Sequence, residues 1–289
     1  MKIREEINTQ IKEELAISDQ VRDIANSIVS QILRAIKNND TEGLIPFKFN
    51  ERVFKFEWKL FNFKNKKDFQ EDGKRNISVI KGYNPVIKRI TMPVIRISGF
   101  IDKGEFADSV YHEIEHAYQE DCGEDYTKNA MNYIKIKDTI NRNNTTNEIK
   151  NIGKLLYFSD KNEIDAFVNG MYGEVSQTLK RGPGNRMFWK WFDEVITKTE
   201  CYGFYRELSN GLNKLLRNGI SLEATEFFKK MGIRPLKDIT NGKKYFLNKM
   251  GKVIVKLRKD YFENNPIMEC PIYDIDNYDF NDKYFLKNG

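Results

Sequence analysis

Apolar residues first recur at helical spacing: Ile7, Ile11 and Leu15, then Ile24, Ile28 and Ile32, stand among charged neighbours. The spacing predicts helix over residues 1–38 with a break near Ser18–Asp19, and Gly43 and Pro46 close that section. From Val53 to Phe63 the pattern changes to alternation. Phe54, Phe56, Trp58 and Leu60 share one face, the mark of a half-buried strand. Lysines interleave with these aromatics, which suits base stacking as well, but period-2 alternation already accounts for the pattern. Residues 76–83 and 86–100 supply two or three further strands, with a turn at Gly82 and Asn84–Pro85. Pro93 cannot donate to a ladder, so the Ile90–Phe100 run is expected at a sheet edge or a bulge.

A helical stripe returns from Asp102 to Glu120. Asp102 and Glu105 have capping-box spacing, and Phe106, Val110, Ile114, Ala117 and Tyr118 form one apolar face. Helix is expected again over residues 126–140, a polar loop at 141–147, and helices at Ile149–Phe158 and Asp160–Leu179. Arg181–Gly184 is a two-glycine, one-proline boundary. Beyond it, residues 187–195, 205–216, 222–231 and 244–261 read as helices, with Trp189, Trp191 and Phe192 as core. The elements predict an α+β protein: a small mixed sheet whose edge strand packs on the Asp102–Glu120 helix, plus a helical C-terminal part. The organisation read from them is a domain over 1–180 opening on a helical segment at 1–40, helices over 185–270, and an acidic-aromatic tail at 271–289.

Charge sharpens this picture. Residues 48–103 hold fourteen basic and six acidic side chains, a balance of +8; residues 104–175 hold seven and fourteen, −7; residues 180–260 hold nineteen and eight, +11. The acidic segment of a basic protein is therefore the one around the Asp102–Glu120 helix, and a local negative field favours a cation there. Cys122, Cys201 and Cys270 are odd in number and far apart, without a disulfide framework or a CxxC pair, which fits a reducing compartment. No secretory signal pattern opens the chain and no run approaches a bilayer span, so the expectation is a soluble cytoplasmic protein.

The chain has two histidines, and both lie in His112-Glu113-Ile114-Glu115-His116. Residues four apart on a helix sit one turn above each other, so both imidazoles can reach one ion from a single face. Glu113, between them, projects beside that ion, where it can hold and deprotonate a water. Zinc takes nitrogen and carboxylate donors in a tetrahedron and keeps one position open at catalytic sites. No histidine remains free to serve a Ser or Cys nucleophile.

At these residues the chain resembles the zincin metallopeptidases of the Glu type, over the HEIEH helix, the strand before it and one helix after it. The resemblance implies a bound Zn²⁺, hydrolysis of a peptide bond with Glu113 as general base, and a peptide or protein substrate lying as an added strand on the sheet edge. It also implies a third ligand on a following helix, where Glu163 in NEIDAF is similar to the ligand-bearing segment, and an oxyanion donor that is Tyr or His. Tyr111, Tyr118, Tyr157 and Tyr172 stay unranked for that role.

Spacing bears on the third ligand separately. Glu163, Ala166, Gly170 and Gly173 fall on one helical face, a carboxylate followed by small side chains, which lets two helices approach closely. Glu120 is eight residues from His112, about 12 Å along a straight helix, too far to share an ion. Glu124 follows Cys122–Gly123, where the helix is expected to end, and Glu148 has no small-residue face. Against this, Asp160 and Glu163 also make a D-x-x-E capping box. Two other functions fit the sequence: a binding module with a structural metal or lost activity, and a nucleic-acid-binding protein using the basic flanks.

Overall fold

The computed structural model describes residues 2–70, 82–122, 136, 139–140, 145–179 and 188–263. Helix α1 (Lys2–Lys37) leads into strands β1 (Glu42–Phe49) and β2 (Arg52–Phe63), then β3 (Gly82–Asn84) and β4 (Arg89–Ile97). Helices follow: α2 (Lys103–Cys122), α3 (Asn147–Phe158), α4 (Lys161–Leu179), α5 (Phe188–Lys198), α6 (Glu200–Asn218), α7 (Leu222–Lys229) and α8 (Pro235–Glu263). The expected helix over 126–140, the strand residues before Gly82, the Arg181–Gly184 boundary and the tail at 271–289 lie wholly or mostly outside the described residues.

The sheet is mixed, in the order β1-β2-β4-β3. β1 and β3 run antiparallel to their neighbours, whereas β2 and β4 are parallel. Period 2 puts Phe47, Phe49, Phe54, Phe56, Trp58, Leu60, Ile90, Met92 and Val94 on one face, all buried. With their rings inside the core, Phe54, Phe56 and Trp58 offer no platform for bases. Helix α2 lies against the sheet; Tyr118 meets Phe49 edge-on with ring centroids 5.2 Å apart.

Three expectations are corrected. Gly43 and Pro46 do not end structure but sit within β1. The Leu60 amide bonds to the Thr41 carbonyl, so in the antiparallel ladder Pro46, opposite Lys55, falls at a position whose missing N–H faces away from β2. Gly82 and Asn84 belong to β3, and the turn follows at 85–88. Helix α1 runs unbroken through Ser18–Asp19, because Asp19 pairs with Arg22 one turn on and with Lys256 of α8 at 3.8 Å instead of capping a new helix.

Strand β4 is central at one end and an edge at the other. Arg89–Thr91 pairs with β2 and β3; from Met92 to Ile97 only β2 pairs with it among the described residues. The Ser98 amide reaches Phe63 across the β2 side, so Pro93, Ile95 and Ile97 turn their backbone groups outward. Ile97 is closed by a reciprocal pair of bonds with Phe100. Among the described residues, the outward backbone groups of this stretch that no strand or turn takes up are the Pro93 carbonyl and both groups of Ile95.

Helices α2 and α4 make the most extensive helix pair. A Cβ on Gly173 would stand 2.6 Å from the Tyr111 ring and 3.1 Å from the Ala107 carbonyl, and one on Gly170 would stand 3.1 Å from the Asp108 carbonyl. These glycines set the helix separation. Gly173→Ala is expected to cost about 1–3 kcal/mol by overpacking, more than the roughly 1 kcal/mol that better helix propensity returns. Gly203→Ala on α6, with nothing within 4 Å of its added Cβ, should instead gain stability. Urea unfolding of the two variants should therefore shift the midpoint in opposite directions.

Helix α8 lies along α4, and its Ile239, Phe246, Met250, Ile254 and Leu257 join the same core as the sheet and α2. A polar cluster ties α1 to α8. Arg22 of α1 stacks over the Tyr172 ring of α4 at 4.9 Å, the Tyr172 hydroxyl donates to Asp260 at 2.6 Å, and Lys256 pairs with Asp260 at 2.9 Å and with Asp19.

Candidate metal centre

Asp102 caps α2, accepting from the Gly104 and Glu105 amides at 2.9 and 3.2 Å. The helix it starts carries Phe106, Val110, Ile114 and Ala117 into the core and turns His112 and His116 toward α4. The imidazole Nε2 atoms are 3.1 Å apart. Glu163 Oε2 lies 3.9 Å from Nε2 of His112 and 3.8 Å from Nε2 of His116. Among the described residues, His112, His116 and Glu163 are the one group of His, Cys, Asp or Glu donors close enough to hold a metal ion together. Four donors about 2.0–2.1 Å from a tetrahedral zinc lie roughly 3.3–3.4 Å from each other, so the observed separations need shifts of only about half an ångström.

The capping and ligand readings of Glu163 turn out not to compete. Asp160 caps α4 by accepting from the Asn162 and Glu163 amides at 2.9 and 3.3 Å. The Glu163 side chain does not return to its own helix start but faces the imidazoles. Its Oε2 is buried without a hydrogen-bond partner. Burial raises the Glu163 carboxyl above its usual range, while His116 and a hydrogen bond from Tyr157 pull it back. A buried carboxylate oxygen that lacks a hydrogen bond and faces two imidazole nitrogens fits a cation, since a buried charge without hydrogen bonds is otherwise costly.

Glu113 is 6% exposed and near enough to Glu163 to raise its carboxyl further. The other carboxylates considered stand elsewhere. Glu120 is at the sheet-side end of α2, where Arg52 donates to its backbone carbonyl. Glu148 is turned to α7, accepting from the Ser221 amide at 3.0 Å and from its hydroxyl. Glu124 lies outside the described residues.

The tyrosines separate as well. Tyr111 is fully buried against Tyr172, Tyr172 is bonded to Asp260, and Tyr118 packs on Phe49. Of the four, Tyr157 alone has its hydroxyl on a member of the His–Glu group. The sequence held no signal for this, because Tyr157 sits at the end of α3 and reaches Glu163 only through the turn into α4.

A second layer of polar side chains surrounds the group. Gln119 Oε1 is 3.2 Å from His116 Nδ1, and Gln119 Nε2 donates to the Asn162 carbonyl at 2.9 Å and to Glu115 at 3.3 Å. Glu115 also accepts from Asn169 of α4 at 2.8 Å, and burial pushes its carboxyl up to about 8. Asp165, two residues beyond Glu163, accepts from the Tyr245 hydroxyl at 2.9 Å and pairs with Lys249 at 3.3 Å, both on α8. None of this layer was singled out by the sequence reading.

Comparison with protein-family models, with curated proteins and with solved structures finds no match to this chain. No described helix is long and apolar enough to cross a membrane. The function rests on the site itself.

Proposed function

We propose that the chain is a zinc-dependent peptidase of the Glu-type zincin kind, with His112, His116 and Glu163 holding the ion and Glu113 as general base. The observation that carries this reading is the convergence of three donor atoms from two helices, one of them a buried carboxylate oxygen without a hydrogen-bond partner. When bound, the ion would act as a Lewis acid, polarising the scissile carbonyl and lowering the pKa of a water. With the ion in place, Glu113 would be the group to take the proton from that water as it attacks the carbonyl carbon and to pass it to the leaving amine. Tyr157 holds Glu163 in place through its hydroxyl. Among the described residues, the outward side of β4 leaves the Pro93 carbonyl and the Ile95 amide and carbonyl to an extended substrate segment.

The first test is metal content. Protein purified with zinc available is expected to carry about one zinc per chain, and His112→Ala protein almost none, by elemental analysis. Metal-free wild-type protein under those conditions would remove the proposal.

A further inference from the structure

We propose that Gln119 is a positioning residue that fixes the tautomer of His116, keeping the ring proton on Nδ1 and leaving the Nε2 lone pair turned toward His112 and Glu163. Amide orientation carries the argument. Gln119 has one polar atom 2.9 Å from the backbone carbonyl of Asn162. A carbonyl only accepts, so the atom facing it is the amide nitrogen. That nitrogen also serves Glu115 at 3.3 Å. The amide oxygen is left 3.2 Å from His116 Nδ1, and an amide oxygen only accepts, so Nδ1 is the donor. A neutral imidazole carries one ring proton, hence Nε2 is bare.

The arrangement works against the intrinsic preference of the ring, because free histidine in water favours the proton on Nε2. It also joins the two helices at the site. Asn162 directly precedes Glu163, so the amide that orients a ring of α2 also holds the backbone of α4 beside the carboxylate. Glu115 steadies Gln119 from its own helix and is itself held by Asn169 of α4 at 2.8 Å. A network of this kind raises ligand basicity and fixes ring direction at metal-binding histidines.

The purpose of this device rests on the zinc reading, but its test does not, since the tautomer is a property of the metal-free protein. With two histidines in the chain, protein labelled with ¹⁵N-histidine gives few ring signals, and His112→Asn protein identifies those of His116. Long-range ¹H–¹⁵N correlation at a pH where the rings are neutral is expected to show His116 protonated on Nδ1. Gln119→Leu should move the population toward Nε2–H and weaken zinc binding about 10–100-fold. Gln119→Glu retains an acceptor and should retain the Nδ1–H form. An Nε2–H signature in wild-type protein overturns the proposal, as does Gln119→Leu protein with tautomer and zinc affinity unchanged. Should Gln119→Leu fail to fold, the wild-type spectrum decides alone. Wild-type protein that shows the Nδ1–H form yet takes up no zinc would sink the peptidase reading and leave the role of Gln119 standing.

Discussion

Glu163→Ala protein is expected to bind zinc more than about 100-fold more weakly than wild type, beyond the 10–100-fold typical for loss of an outer-shell partner. The reason is direct: Oε2 of Glu163 lies within 3.9 Å of both imidazoles, in the one group of potential metal donors found among the described residues. The helix should survive the change, because Asp160 and not Glu163 caps α4. Removing a carboxylate whose buried oxygen lacks a hydrogen-bond partner should leave the metal-free protein no less stable. Glu120→Ala and Glu148→Ala serve as controls and should keep wild-type affinity. Competition with a chromophoric chelator reads all four proteins on one scale. Glu163→Ala protein binding as tightly as the controls would show that the third ligand is another group.

Glu113→Gln protein should keep its zinc and its fold while peptide hydrolysis drops about 10²–10⁴-fold, the usual worth of a positioned general base. Gln matches Glu in volume and hydrogen-bonding reach, so the buried position stays filled; the amide cannot accept the water's proton. A quenched-fluorescence peptide library, read beside metal content and the thermal midpoint, separates this from general damage. Turnover equal to wild type would exclude Glu113 as the base.

The parts of the fold that depend on local pattern were legible in the sequence. The alternation of Phe54, Phe56, Trp58 and Leu60 gave β2, the Asp102 cap and its apolar stripe gave α2, and the Glu163–Ala166–Gly170–Gly173 face anticipated the close approach of α4. Two errors came from reading one residue by its average habit. Pro46 looked like a terminator, but an edge strand has positions that need no donor. Ser18–Asp19 looked like a helix start, but Asp19 finds its partners in Arg22 and in Lys256, the latter 237 positions further on. The outer layer of the site was illegible for a related reason. Gln119 matters through a backbone carbonyl 43 residues away, and Tyr157 through the turn that brings α3 beside Glu163. Such contacts depend on where chain segments cross, which periodicity does not encode.

The cluster of Asp19, Arg22, Tyr172, Lys256 and Asp260 has a consequence for how the chain comes to be folded. It closes a loop of nearly the whole described length, and contacts of that sequence separation are costly in chain entropy and slow to form. During synthesis, helix α2 and the start of α4 leave the ribosome long before α8 exists to supply Lys249 and Tyr245 to Asp165. Until then α4 carries a carboxylate meant for burial with no partner beside it, and the apolar face awaiting Phe246 and Met250 stays wet. The site helices can meet early along their glycine seam, but this brace arrives only with α8. During synthesis, the brace on Asp165 therefore waits for α8.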